Sequence, residues 1–186
     1  DGVECERYDE VSNKQKCNDM IKEIMTRIDN KGVADTTYDI KKIVAHYDYE
    51  NIRTEGNKKC ADFYFSNVDN SFLCEVEYPD WAYSNSCENE WTRFMEAIQR
   101  HESGHCLIAK KYNDTLINEL KTKKIKICGK DNNDLTNNAK NEMDAVFRRT
   151  AQLYDFLNKK EQNEYDRATN HGQTQGIYFD CNKCQQ

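Results

Sequence analysis

From about residue 88 to residue 120, apolar side chains recur at helical spacing: Trp91, Phe94, Met95, Ile98, Ile108, Ala109, Tyr112, Leu116 and Leu120. The stripe has a gap, and His101, Glu102 and His105 fill it. A helix normally puts Leu or Ile on that face, because an unpaired carboxylate taken out of water is costly. Whatever this chain folds into must therefore supply partners for two imidazoles and a carboxylate on a buried helix face. Few folds meet that demand without using it.

The rest of the chain frames this helix. Residues 12–29 read as an amphipathic helix, with Cys17, Met20, Ile21, Ile24, Met25 and Ile28 on one face and Gly32 as its stop. The period then changes from about 3.6 to 2. "TYDIKKIVAHYDY" (37–49) is rich in β-branched residues and tyrosine, and Ala61, Phe63 and Phe65 share one face of 61–68. Over 72–78, Phe72, Cys74, Val76 and Tyr78 alternate with outward Glu75 and Glu77, and Pro79 closes the run. The segment 37–78 is expected to form one small mixed or antiparallel sheet of three or more strands. "KTKKIKICGK" (121–130) reads as a solvated helix end and following loop. A second long helix follows "CGKDNND", with Ala139, Met143, Val146, Phe147, Leu153, Tyr154 and Leu157 at helical spacing, and ends near 168. The order is helix, sheet, long helix, long helix, irregular tail. That is an α+β fold, a single domain over 1–186 with a helical N-terminal extension at 1–36.

Composition limits the function classes. The formal charge is −6, from 27 basic and 33 acidic residues, which favours solubility and argues against nucleic acid as a partner. No apolar run approaches the ~18 residues of a membrane span. No charged-then-apolar leader opens the sequence, so an export signal is expected to have been removed or never to have existed. Nine cysteines point to an oxidising, secreted or otherwise extracytoplasmic setting. Nine is odd, and Cys106, inside the motif helix, is the candidate for the unpaired thiol. "CNKC" (181–184) has no second Cys-x-x-Cys and reads as disulfide staples rather than a zinc knuckle. Asn113-Asp114-Thr115 is a glycosylation sequon.

His101 and His105 lie four residues apart, one above the other on a helix face, and can converge on one Zn2+. Glu102 can reach a water at the metal without ligating it, the division of labour in an H-E-x-x-H metallohydrolase. A catalytic zinc takes a third protein ligand. Lys111 occupies the position six residues after the second histidine, which excludes the compact form with three histidines in one run. Glu142 and Asp144 on the next helix are candidates, and His46 reads as a surface residue. His171, directly after the second long helix in "YDRATNHGQTQG", is the preferred candidate, since that helix returns the chain and Gly172 frees the backbone for close approach.

These residues also carry a resemblance. "HESGH", Trp81, Trp91, and above all Tyr165-Asp166, Thr169, His171-Gly172 and Gln175-Gly176 are similar to a bacterial family of predicted secreted zinc-dependent proteases, catalogued as a domain of unknown function. Members share a β-rich front half ending in a turn like Pro79-Asp80-Trp81, an H-E-x-G-H helix, and a helix closing on Y-D-x-x-T-x-H-G-x-x-Q-G. The resemblance covers roughly 37–179 and implies a zincin-like fold and metal-dependent peptide hydrolysis. The family's cysteines are similar to Cys60 and Cys128, and the tail at 180–186 lies outside it.

The expected function is accordingly a secreted zinc metallopeptidase acting on peptide or protein substrates. His101, His105 and His171 would hold Zn2+, and Glu102 would serve as general base toward the attacking water. Tyr165 or Tyr178 would share the oxyanion, and Asp166 and Thr169 could orient a ligand imidazole. The strand ending at Tyr78 would offer an edge to an extended substrate. A zinc hydrolase acting on another amide, and a disulfide-stapled binding or inhibitory module without catalysis, are the alternatives.

Overall fold

The structure is a computed structural model that describes residues 3–10, 17, 21–22, 34–38, 43–69, 72–80 and 85–184. Its strands are β1 (Val3–Glu10), β2 (Asp35–Tyr38), β3 (Val44–Glu55), β4 (Lys58–Asp69), β5 (Cys74–Asp80) and β6 (Lys124–Gly129). Its long helices are α1 (Glu88–Thr122) and α2 (Asn132–Thr169). The architecture is α+β, and both long helices lie where the apolar spacing puts them. Of the helix expected over 12–29, Cys17, Ile21 and Lys22 are helical and the rest lies outside the described residues, as does the turn residue Trp81. The extension expected to be helical begins instead with a strand, β1.

The expected single sheet is two sheets. Strands β1, β5 and β2 form one, in that order, and β3, β4 and β6 the other. The chain divides into two compact units that follow this partition. One comprises Asp1–Asp39, Leu73–Ala109 and Lys160–Gln186, and the other comprises Ile40–Phe72 and Lys110–Lys159.

In the first unit β1 runs parallel to β5, and β2 antiparallel to it. Alternation places Cys74, Val76 and Tyr78 inward, with Glu75 and Glu77 exposed. The strand continues through Pro79 to Asp80, past the last residue that pairs with β2. The missing N–H of proline therefore costs no ladder bond on that side. Because β5 has a partner on each side, it offers no edge to a substrate, contrary to expectation. Cys74 is bonded to Cys106, so Cys106 is not the unpaired thiol. Cys17–Cys181 and Cys87–Cys184 staple the tail, so "CNKC" is a pair of disulfide anchors. With Cys60–Cys128, these bonds take in eight of the nine cysteines. Phe94 and Ile98 on α1 are buried, and Phe179 packs edge-on against Phe94 at 5.6 Å.

The second unit is built on the β3–β4 hairpin, closed by Gly56 and Asn57 with Gly56 at φ 60. Ala61, Phe63, Phe65 and Val68 face its core. The segment expected to be a loop at 121–130 contains β6, paired antiparallel with β4. Its lysines obscured a period-2 pattern: Ile127 is buried, while Lys124 and Lys126 reach across to Glu50 and Glu55 on the opposite face. Cys60 and Cys128 are register partners as well as a disulfide. A Cβ on Gly129 would lie 2.1 Å from the Leu135 backbone nitrogen, which is how tightly the chain turns into α2. Asp131 caps that helix by accepting from Asp134 N. Asn113 of the sequon is fully buried on α1, so the folded chain has no acceptor to offer there.

Candidate metal centre

His101 and His105 stand one turn apart on α1 with ring centroids 4.7 Å apart and planes at 86°. Their Nε2 atoms are 3.2 Å apart. Both face Asp166 Oδ1 on α2, which lies 3.3 Å from His101 Nε2 and 3.0 Å from His105 Nε2. Two imidazole nitrogens and one carboxylate oxygen thus converge, a set able to hold a metal ion. His101 and Glu102 are only 5% and 6% exposed, whereas Asp166 is more open. The centre therefore has a buried floor on α1 and an accessible rim on α2.

The other nitrogen of each ring is also engaged. His101 Nδ1 lies 2.9 Å from Gln175 Oε1, and His105 Nδ1 is bonded to Gln162 Oε1. The Tyr165 ring stacks on His101 at 5.0 Å and meets His105 edge-on at 5.1 Å. Gly104 makes room for that ring: a Cβ there would lie 2.2 Å from the phenol oxygen. Glu102 Oε2 accepts from Thr36 Oγ1 on β2.

Beyond α2 the chain makes a tight left-handed turn through Asn170, His171 and Gly172, with φ of 48, 50 and 78. Thr169 braces it, donating to Tyr165 O and accepting from Gly172 N. A Cβ at Gly172 would meet Ile177 at 2.3 Å and His101 at 3.1 Å, so glycine is needed for space as well as for conformation. The tail then delivers Gln175 and is held by Arg93, which donates to Gly176 O and Tyr178 O. Arg93 also pairs with buried Glu90 at 2.7 Å, and that hydrogen bond holds the Glu90 carboxyl below its usual range.

Of the residues expected at the site, His101, His105 and Tyr165 come together, with Glu102 next to the first histidine. The structure does not bring His171 to the cluster. It is exposed, in the left-handed turn that carries the chain off the end of α2. Asp166, expected to orient a histidine, occupies the third donor position. Glu142, Asp144 and His46 are exposed and outside the cluster. Tyr178 is exposed and lies under the Arg93 guanidinium at 4.6 Å.

Gln162 and Thr36 were not foreseen. For Gln162 a signal existed: Gln162, Tyr165, Asp166 and Thr169 recur at helical spacing on α2, a polar break mirroring that on α1. For Thr36 there was none.

A sequence profile described as "Bacterial protein of unknown function (DUF922)" matches residues 15–172. The chain belongs to this family. No curated protein and no solved structure matches it. The span matched in this DUF922 protein takes in His101, Glu102, His105, Gln162 and Asp166, and stops before Gln175 and the stapled tail.

Proposed function

We propose that this DUF922 protein is a zinc-dependent peptidase of an oxidising, extracytoplasmic compartment, with His101, His105 and Asp166 as the protein ligands. The convergence of Nε2, Nε2 and Oδ1 carries the proposal. Donors at the corners of a tetrahedron around zinc, each at about 2.0–2.1 Å, lie about 3.3–3.4 Å apart. The three atoms here are 3.0–3.3 Å apart. Two imidazoles and one carboxylate are a donor set typical of catalytic rather than structural zinc. The disulfides support the choice of compartment.

Zinc held there would supply Lewis acidity toward a carbonyl and acidify a water. Glu102, beside the ligands but not among them, is the general base: it takes the proton of the attacking water and passes it to the leaving amine. Thr36 holds one oxygen of that carboxylate. Tyr165, stacked on His101, is the phenol within the site, whereas Tyr178 belongs to the tail anchor. With β5 flanked on both sides, β2, which carries Thr36, is the strand beside the base along which an extended substrate would lie.

The test is metal analysis together with cleavage assays on casein and broad peptide libraries. About one zinc per chain is expected, with cleavage that Glu102→Gln abolishes while zinc is retained. Stoichiometric zinc with no cleavage of any peptide would count decisively against a peptidase.

A further inference from the structure

Each ligand imidazole presents its Nδ1 to the carbonyl oxygen of a glutamine, Gln175 for His101 and Gln162 for His105. A carbonyl oxygen only accepts, so each glutamine favours the hydrogen on Nδ1, in competition with Asp166 Oδ1, which faces both Nε2 atoms. That conclusion depends on which way each amide faces, and for Gln162 the second contact decides it. Gln162 Nε2 donates to His105 O at 2.9 Å, and turning the amide over would set two oxygens against each other. Gln175 Nε2 donates to the Tyr165 hydroxyl at 3.0 Å, and that hydroxyl has two acceptors within reach, His101 O at 3.3 Å and Gln175 Oε1 at 3.4 Å; donation to His101 O leaves Gln175 Oε1 to His101 Nδ1.

We propose that Gln162 and Gln175 are positioning residues that lock both imidazoles in the Nδ1–H tautomer, presenting two Nε2 lone pairs and Asp166 as a preset divalent-cation site. This rests on the zinc assignment but extends it to residues that touch no metal. The hydrogen bond at one ring nitrogen selects the tautomer and so decides which nitrogen is free to ligate. Carboxylates often do this for zinc-bound histidines and also make the ligand more basic. Amides fix the tautomer without adding negative charge beside a site that already contains Asp166. The two locks differ in origin. Gln162 lies on α2, whereas Gln175 arrives on a tail anchored by Arg93 and by Cys17–Cys181 and Cys87–Cys184. Half of the preset site therefore depends on the docking of that tail.

The experiment is nitrogen-15 NMR of histidine-labelled, metal-free protein at about pH 8, with zinc affinity measured separately by chelator competition. Wild type is expected to show Nδ1–H at both His101 and His105. Gln175→Met should release the tautomer of His101 alone and Gln162→Met that of His105 alone, each weakening zinc by about 10–100-fold. Gln→Glu at either position should restore the Nδ1–H signature, which a merely structural role would not require. Nε2–H at either histidine in wild type, or unchanged tautomers in the Met variants, would overturn the proposal. Should Gln162→Met not fold, the wild-type spectrum and Gln175→Met at the more open position still decide. Because the tautomers are read without metal, locked tautomers in a protein that binds no zinc would support the lock and sink the zinc assignment alone. Zinc binding with Nε2–H tautomers would sink the lock alone.

Discussion

Replacing Gly104 by alanine adds a methyl group where Tyr165 already stands. The new Cβ would be 2.2 Å from the phenol oxygen, 2.4 Å from Cζ and 2.9 Å from Cε1, so the ring must leave. In an unobstructed helix interior the same substitution would stabilise by about 0.8–1 kcal/mol. Against that, Tyr165 loses its bonds with Gln175 and His101 O, at about 0.5–1.5 kcal/mol each. It also loses its stack on His101, worth about 0.5–1.5 kcal/mol. The balance is a net destabilisation of about 0.5–3.5 kcal/mol, read as a lower midpoint in urea at unchanged slope. Removing the obstruction reverses the sign: in a Tyr165→Ala background, Gly104→Ala should stabilise by about 0.5–1 kcal/mol. Equal effects in the two backgrounds, or stabilisation in the wild type, would refute the claim that Gly104 exists to seat Tyr165.

Two further predictions concern the third ligand and the tail. Asp166→Ala should weaken zinc by at least about tenfold, while His171→Ala leaves it within about twofold; chelator competition on both variants distinguishes them, and the reverse ranking would restore His171 to the centre. Glu90 is held below its ordinary pKa of 4.5 by its hydrogen bond to Arg93. A carboxyl depressed by folding contributes stability that is full above the unfolded pKa and lost as pH falls through the lower folded value. Wild-type stability should therefore fall more steeply than that of Glu90→Gln as pH drops from about 5 toward 3, and parallel pH profiles in urea titrations would exclude it.

Much of the fold was legible because burial leaves a period in the sequence. The two long helices and the inward face of β5 were evident from apolar spacing alone, as was the gap on α1 filled by His101, Glu102 and His105. Pairing leaves no such period. Nothing local in 37–78 says that its strands belong to two sheets, each completed by a strand from elsewhere. Strand β6 was hidden because its lysines gain their meaning only opposite Glu50 and Glu55. Cysteine counting implied disulfides, but the pairing of Cys106 with Cys74 depends on β5 lying against α1.

The site divides in the same way. His101 and His105 were fixed as a pair by the pitch of one helix, which brings i and i+4 together whatever the tertiary structure. Their partners lie more than 50 residues along the chain, and there helix phase and chain direction decide. Asp166 is on the face of α2 that meets α1, while His171 falls five residues later, in a left-handed turn that leaves it exposed. One motif thus contains both the residue that reaches the centre and the one that does not. Position after the second long helix and the family resemblance singled out the motif; only the packing of α2 against α1 chose between them.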